Sequence, residues 1–334
     1  MKRFAIGAAL MVLTTACSSS ARHASPPPSA PGTTTATAAT APSTTTAVAA
    51  PTGNVTRQQQ EPAMPVALQE EGGAATATKF YVLGGYDTSR NSTRTDLVFD
   101  GTRWTDGPAL PLALNHPGAA AIGDDVYLAG GFTPTGTSAR AFVLAPGATA
   151  WKELAPMRRA RGALALLALN NALYAIGGRD GAQQIATPER YDPATNTWTD
   201  LPPMPAPRNH VAGYVDANRL CVAGGRTPAT SARVDCFDPT NAVWTVRKPM
   251  PTPTSGAAAA AFGRTVLVAG GEPAGEGSLV GIVQEDVGGA WRTLPMLVPR
   301  HGTANALFHG RLWMCGGATA PGYAATAACT SLGP

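Results

Sequence analysis

Short apolar runs, each ended by a pair of glycines, recur along the chain. One unit shows the pattern in full. Ala163–Leu169 and Ala172–Ile176 read as two successive strands, the second ending at Gly177-Gly178. Pro188–Tyr191 predicts a third strand, closed by the turn Asp192-Pro193, and a fourth surrounds Trp198 before Leu201-Pro202-Pro203-Met204 leads onward. Alternation, Pro and Gly at the turns, and the lack of helix-start signals all favour strands.

The unit repeats. Glycine pairs begin at Gly84, Gly130, Gly177, Gly224, Gly270 and Gly316, spaced 46, 47, 47, 46 and 46 residues apart. Trp104, Trp151, Trp198, Trp244 and Trp291 follow their first glycine by 20 or 21 residues. Met64, Leu110, Met157, Met204, Met250 and Met296 precede theirs by 20. Three phased markers at this period signal a propeller or solenoid. Inner strands crowd an axis, which suits the small side chains of Ala119-Ala120-Ala121 and Ala257 to Ala261.

Double glycine, a third-strand aromatic with Asp-Pro (Tyr191-Asp192-Pro193, Phe237-Asp238-Pro239) and then tryptophan resembles the kelch repeat. The resemblance covers about residues 54–334 and lapses in part at Val280–Val283, where the aromatic is missing. It implies an all-β fold, a six-bladed β-propeller with strand a innermost and strand d outermost. A sixth tryptophan falls due just past Pro334, so the last blade lacks its own strand d. Val55–Gln60 precedes a Pro-Met element as a strand d does. It is expected to close the ring beside Ala327–Ser331, leaving no open seam.

The N-terminal end reads differently. Lys2 and Arg3 precede an apolar stretch, Phe4 to Leu13, then small residues and Cys17, a secretory signal pattern. It resembles a bacterial lipoprotein signal, which implies lipidation of Cys17, although Thr14 stands where leucine is usual. The expected organisation is a signal at 1–17, a disordered tether at 18–53 and a propeller at 54–334. From Ala24 to Gly53 every residue but Val48 is Ala, Ser, Thr, Pro or Gly, too poor in apolar surface to order itself. The expected location is the bacterial cell envelope, membrane-anchored or secreted. Gly (37) and Pro (30) are plentiful and charged residues only 14%, against a helical bundle. A net charge of +4 is too small to imply nucleic acid.

Apart from Cys17, four cysteines remain, two on strands b and c of blade four (Cys221, Cys236) and two on those of blade six (Cys315, Cys329). An even count in an exported chain predicts two intrablade disulfides. The pairs differ in phase relative to their glycines, so one of them requires a shifted register.

The b–c and d–a loops open on one face. Arg161, Arg208 and Arg300 share a phase there, sixteen residues before their glycine pairs, and Arg179 and Arg226 follow theirs. Arginine's planar fork suits carboxylate or phosphate, and kelch propellers that bind acidic peptides use arginines in such places. His116, His210 and His301 precede their glycines by 14, 14 and 15 residues on alternate blades, so their rings can point at the axis. Surrounding arginines would repel a cation, so neither a metal nor a cofactor is expected. The reading favoured is a non-catalytic, monomeric binding module for an anionic protein or glycan partner, touching membrane only through its lipid. The alternative is a sugar-active enzyme resembling the six-bladed periplasmic sialic-acid mutarotases, which pair acid with arginine in the channel mouth. Glu70, Glu71 or Glu272 would then serve beside Arg161 or Arg300, and a channel-mouth glutamate with an arginine opposite is the feature that would favour the enzyme.

Overall fold

The computed structural model describes residues 57–273 and 277–333. The expected signal at 1–17 with Cys17, and the expected tether at 18–53, lie outside the described residues. The described residues contain strands and turns and no helix, and therefore no helix long and apolar enough to cross a membrane. Six four-stranded antiparallel sheets form six blades.

In order a to d, blade one holds Gly72–Ala75, Phe80–Leu83, Asp96–Phe99 and Trp104–Asp106. Blade two holds Gly118–Ile122, Asp125–Ala129, Ala141–Leu144 and Lys152–Leu154, and blade three Ala165–Leu169, Ala172–Ile176, Glu189–Asp192 and Thr197–Asp200. Blade four holds Ala212–Asp216, Arg219–Ala223, Val234–Asp238 and Val243–Arg247. Blade five holds Ala258–Phe262, Thr265–Ala269, Ile282–Val287 and Ala290–Pro295. In blade six Ala304–Phe308, Arg311–Cys315 and Cys329–Gly333 are completed by Arg57–Glu61 as strand d, with Arg57 opposite Gly333 and Glu61 opposite Cys329. The predicted closure is borne out.

The repeat markers have separate physical tasks. Both glycines of every pair have positive φ, 64–69° for the first and 81–97° for the second, a region costly for other residues. Space also excludes a side chain: a Cβ on Gly130 would lie 2.3 Å from the Arg161 carbonyl oxygen. Each of the five phased tryptophans packs its ring between blades and donates its indole N–H to a carbonyl 42 or 43 residues earlier, as in Trp104 to Pro62, Trp198 to Ala155 and Trp244 to Pro202, all at 2.9 Å. The methionines and Leu110 are buried plugs, 0–8% exposed. Strands a approach too closely for bulk: a Cβ on Gly213 would stand 2.6 Å from that of Ala165.

Both disulfides form, Cys221–Cys236 and Cys315–Cys329, each joining directly opposed residues of strands b and c. The phase difference is absorbed by unequal b–c loops rather than by a slipped strand. The bonds point to an oxidising, exported environment. Each closes a loop of about 15 residues, worth about 3 kcal/mol in the chain-entropy account. Non-reducing peptide mapping is expected to recover these two links; four alkylatable thiols in native, oxidised protein would refute them.

Candidate functional site

The channel ends, on the side of the glycine pairs, in an annulus made of one residue per blade. Fourteen residues before each first glycine stand Glu70, His116, Ala163, His210, Gly256 and Gly302. All six have φ between 51° and 65°. Their backbones hydrogen-bond around the axis as a closed ring: each N–H donates to the carbonyl of the equivalent residue one blade back, from Glu70 to Gly302 at 2.7 Å through Gly302 to Gly256 at 2.9 Å. Two glycines and an alanine accept this left-handed geometry with little or nothing to place there. Glu70, His116 and His210 hold large functional side chains at the same strained position, a pattern that clusters at binding and catalytic sites.

A second ring surrounds the first. The residue after each glycine pair (Tyr86, Phe132, Arg179, Arg226, Glu272 and Ala318) bridges to the residue just before the annulus (Gln69, Asn115, Gly162, Asn209, Ser255 and His301). These bridges hold the loop side chains over the mouth. Below it lies a cavity of about 410 Å³ lined largely by Ala and Gly of the inner strands, within the usual range for small-molecule sites.

The charged groups form a chain. Glu70 Oε2 is 3.0 Å from His116 Nε2, and its Oε1 is 3.3 Å from His301 Nδ1. His301 Nε2 is 3.6 Å from Glu272 Oε1, and the other oxygen of Glu272 pairs with Arg226 at 2.7 Å. Arg226 also reaches His210 Nε2 at 3.0 Å. The His116 and His210 rings meet edge to face with centroids 4.9 Å apart. On the other side the rim is aromatic. Tyr86 packs on Tyr323 at 5.3 Å, Arg90 lies 4.2 Å over Tyr323, and Arg179 lies 4.6 Å over Phe132.

Burial and neighbours set the protonation. Burial opposes the charge on Glu70, but His116, His301 and His210 outweigh it and hold its pKa far below the usual carboxylate range. Burial lowers His116 and drives His210 well below an ordinary histidine, His116 adding to the effect on His210. Burial also opposes a charge on His301, yet Glu70 and Glu272 overcome it and raise its pKa. Glu71 is pushed well above the normal range by burial, with one oxygen lacking a partner. It faces the Gly317 N–H at 3.3 Å beneath blade six and is a packing group, not a member of the chain.

The sequence-predicted residues divide sharply. His116, His210 and His301 come together at the axis, and Arg179 and Arg226 reach the rim. Arg161, Arg208 and Arg300 do not line the mouth. They are 0%, 1% and 1% exposed, inside blades three, four and six. Arg161 pairs with Glu189 at 2.5 Å and Arg208 with Asp235 at 2.8 Å. Arg300 donates to the Gly316 carbonyl at 3.0 Å and to Thr330 Oγ1 at 2.5 Å. Their place sixteen residues before the glycines is a core column, occupied by Leu68, Leu114 and Thr254 in the other blades, all 0–1% exposed. The expected ring of ligand-binding arginines is thereby corrected: these guanidiniums satisfy carbonyls that the glycine turn leaves inside.

Sequence reasoning placed Glu70 on this face without recognising it as the blade-one counterpart of His116 and His210. Asn115, Asn209, Tyr86 and Phe132 went unnoticed. The whole column at one phase carried the signal: Glu, His, Ala, His, Gly, Gly.

Fold, repeat and site together define a six-bladed kelch-repeat β-propeller with a polar, histidine-rich mouth. The Kelch motif model matches residues 160–205. Among solved structures the fold is similar to one titled "Structure of YjhT", with TM-score 0.71 and 17% identity over 80% of this chain and 95% of that one. No curated protein matches the chain.

Proposed function

We propose that the protein is an exported, lipid-anchored propeller that binds a carboxylated sugar in its channel mouth and interconverts its anomers. The observation carrying this reading is the convergence of Glu70, His301, Glu272 and Arg226, a mouth glutamate beside an arginine, in place of an open basic face. Arg226 and Arg179 suit the carboxylate as bidentate donors. The faces of Tyr86, Tyr323 and Phe132 suit the C–H surface of a sugar ring. Glu272 and His301, 3.6 Å apart, form a proton-transfer pair. One accepts the proton of the anomeric hydroxyl while the other protonates the ring oxygen. The ring C–O bond breaks to give the open-chain carbonyl, and reclosure from the other face gives the second anomer. The anchor at Cys17 follows from the lipoprotein-like signal and holds this chemistry at the envelope.

The test is anomer exchange of a sialic or uronic acid followed by proton NMR. The protein is expected to accelerate exchange at least tenfold over buffer. Glu272→Gln is expected to remove about 100-fold of any catalysed rate, and Arg226→Ala to weaken binding about tenfold or more, in line with a lost charge-assisted hydrogen bond. Binding without acceleration would overturn the enzyme and leave a binding module; neither binding nor acceleration would overturn both.

A further inference from the structure

We infer that Glu70, His116 and His210 form a binding site for a divalent transition-metal ion on the propeller axis. The inference does not depend on the sugar reading. It starts from position: one oxygen of Glu70 and one ring nitrogen of each histidine all lie within 4.8 Å of one another. Nitrogen and oxygen ligands about 2.0–2.2 Å from a metal stand roughly 3–3.5 Å from each other, and Glu70 Oε2 to His116 Nε2 is already 3.0 Å.

The rings are oriented by partners on their far side. Asn115 donates its amide N–H groups to Ser92 Oγ at 2.8 Å and to the Phe132 carbonyl at 3.2 Å, which turns its Oδ1 to His116 Nδ1 at 2.6 Å. Asn209 repeats the arrangement two blades on. It donates to Gln184 Oε1 at 2.7 Å and to the Arg226 carbonyl at 3.2 Å, and its Oδ1 accepts from His210 Nδ1. Each asparagine therefore fixes the proton on Nδ1 and aims the Nε2 lone pair inward, as the outer partners of metal-bound histidines do. His116 Nε2 and Glu70 Oε2 then stand 3.0 Å apart, a spacing that two ligands of one ion take. Two histidines and one carboxylate with the remaining positions open to the mouth suit zinc, cobalt, nickel or iron(II).

Of the arginines expected to repel a cation, three are buried in blades; Arg179, flat on Phe132, and Arg226, paired with Glu272, remain beside the site. Arg226 occupies His210 Nε2 and must yield it to a metal while keeping its carboxylate partner.

The full chain, stripped with a chelator, is titrated with Co²⁺ by visible absorption and with Zn²⁺ by calorimetry. One saturable equivalent of each and cobalt ligand-field bands are expected. His116→Gly and His210→Gly place at the annulus the residue that Gly256 and Gly302 already provide there, so both variants are expected to unfold cooperatively at the wild-type temperature or above. Each should bind at least 100-fold more weakly and lose the bands. Glu70→Gln, which keeps size and removes the charge, is the companion variant should a glycine variant not fold, and the same loss is expected. Arg226→Ala should bind at least as tightly as wild type. No saturable binding to the wild type, or binding unchanged in the His116, His210 and Glu70 variants, would overturn the site. Anomer exchange measured on the metal-free protein reports on the sugar proposal separately.

Discussion

Removal of residues 1–61 is expected to lower the melting temperature by about 10 °C or more, whereas removal of residues 1–50 should shift it by less than about 2 °C. The longer deletion takes away all five ladder positions between Arg57–Glu61 and Cys329–Gly333. It also removes ties that the ladder does not include. Arg311 donates to the Arg57 carbonyl and Ser331 Oγ to Glu61 Oε1, both at 2.6 Å. Gln58 clips blade six to blade five through the Pro295 carbonyl and the Leu297 N–H, also at 2.6 Å. Cys329–Gly333, buried throughout, would become an open edge able to pair with another chain. A loss of about 4–5 kcal/mol corresponds to roughly 10 °C at this chain length. Aggregation on heating should therefore rise together with the loss of stability. Equal melting temperatures for the two truncations, by calorimetry, would show that the ring does not depend on this strand.

Arg161→Thr alone is expected to cost about 3–5 kcal/mol, because it takes from Glu189, at 0% exposure, its buried ion partner and leaves it only the Arg158 and Arg159 N–H groups and the half-exposed Arg159 guanidinium at 3.8 Å. Adding Glu189→Gln should recover more than half. The reasoning comes from the other blades. The column of Arg161 and the strand-c column facing it hold Leu68 with Leu97, Leu114 with Phe142, Arg161 with Glu189, Arg208 with Asp235, Thr254 with Gln284, and Arg300 with Thr330. Apolar meets apolar in blades one and two, charge meets opposite charge in three and four, and neutral polar meets neutral polar in five, while Arg300 of blade six meets the neutral Thr330 hydroxyl. The double variant transplants the blade-five pair. Gln284 Oε1 accepts the Thr252 N–H at 2.7 Å, as Glu189 Oε1 accepts that of Arg159 at 3.2 Å, so the backbone of the d–a turn keeps its partner. Denaturant melts of the single and double variants make the measurement. A double variant as unstable as the single one would mean that arginine supports the turn by its bulk rather than by its charge.

These columns also show what the sequence discloses and what it hides. Blade number, strand order, ring closure and both disulfides were legible because each rests on a period or a parity. Glycine pairs, tryptophans and plugs recur at fixed phase, and cysteines pair within a blade. The three arginines misled because charge in a turn normally means exposure, and a residue-by-residue reading does not reveal that the d–a turn folds inward over its own blade. Leu68 and Leu114 at the same phase marked the column as interior. The mouth was partly legible through the phase of the histidines. Its left-handed backbone was not, since glutamate and histidine carry no mark of φ; only Gly256 and Gly302 in their column betray it.

The annulus has no first member. Its hydrogen bonds run from Gly302 round to Glu70 as they do between any two neighbours, although the first and last of the described strands both belong to blade six. Its chemistry is thus a circular six-letter word, Glu-His-Ala-His-Gly-Gly, in which each letter is one residue held by the same ring of backbone hydrogen bonds. Joining the present ends and opening the chain at another blade would rotate the word without respelling it. A change of one letter rewrites the mouth while its five neighbours and all six sheets keep their places. Such an architecture lets the chemistry of a site drift quickly on a scaffold that hardly moves.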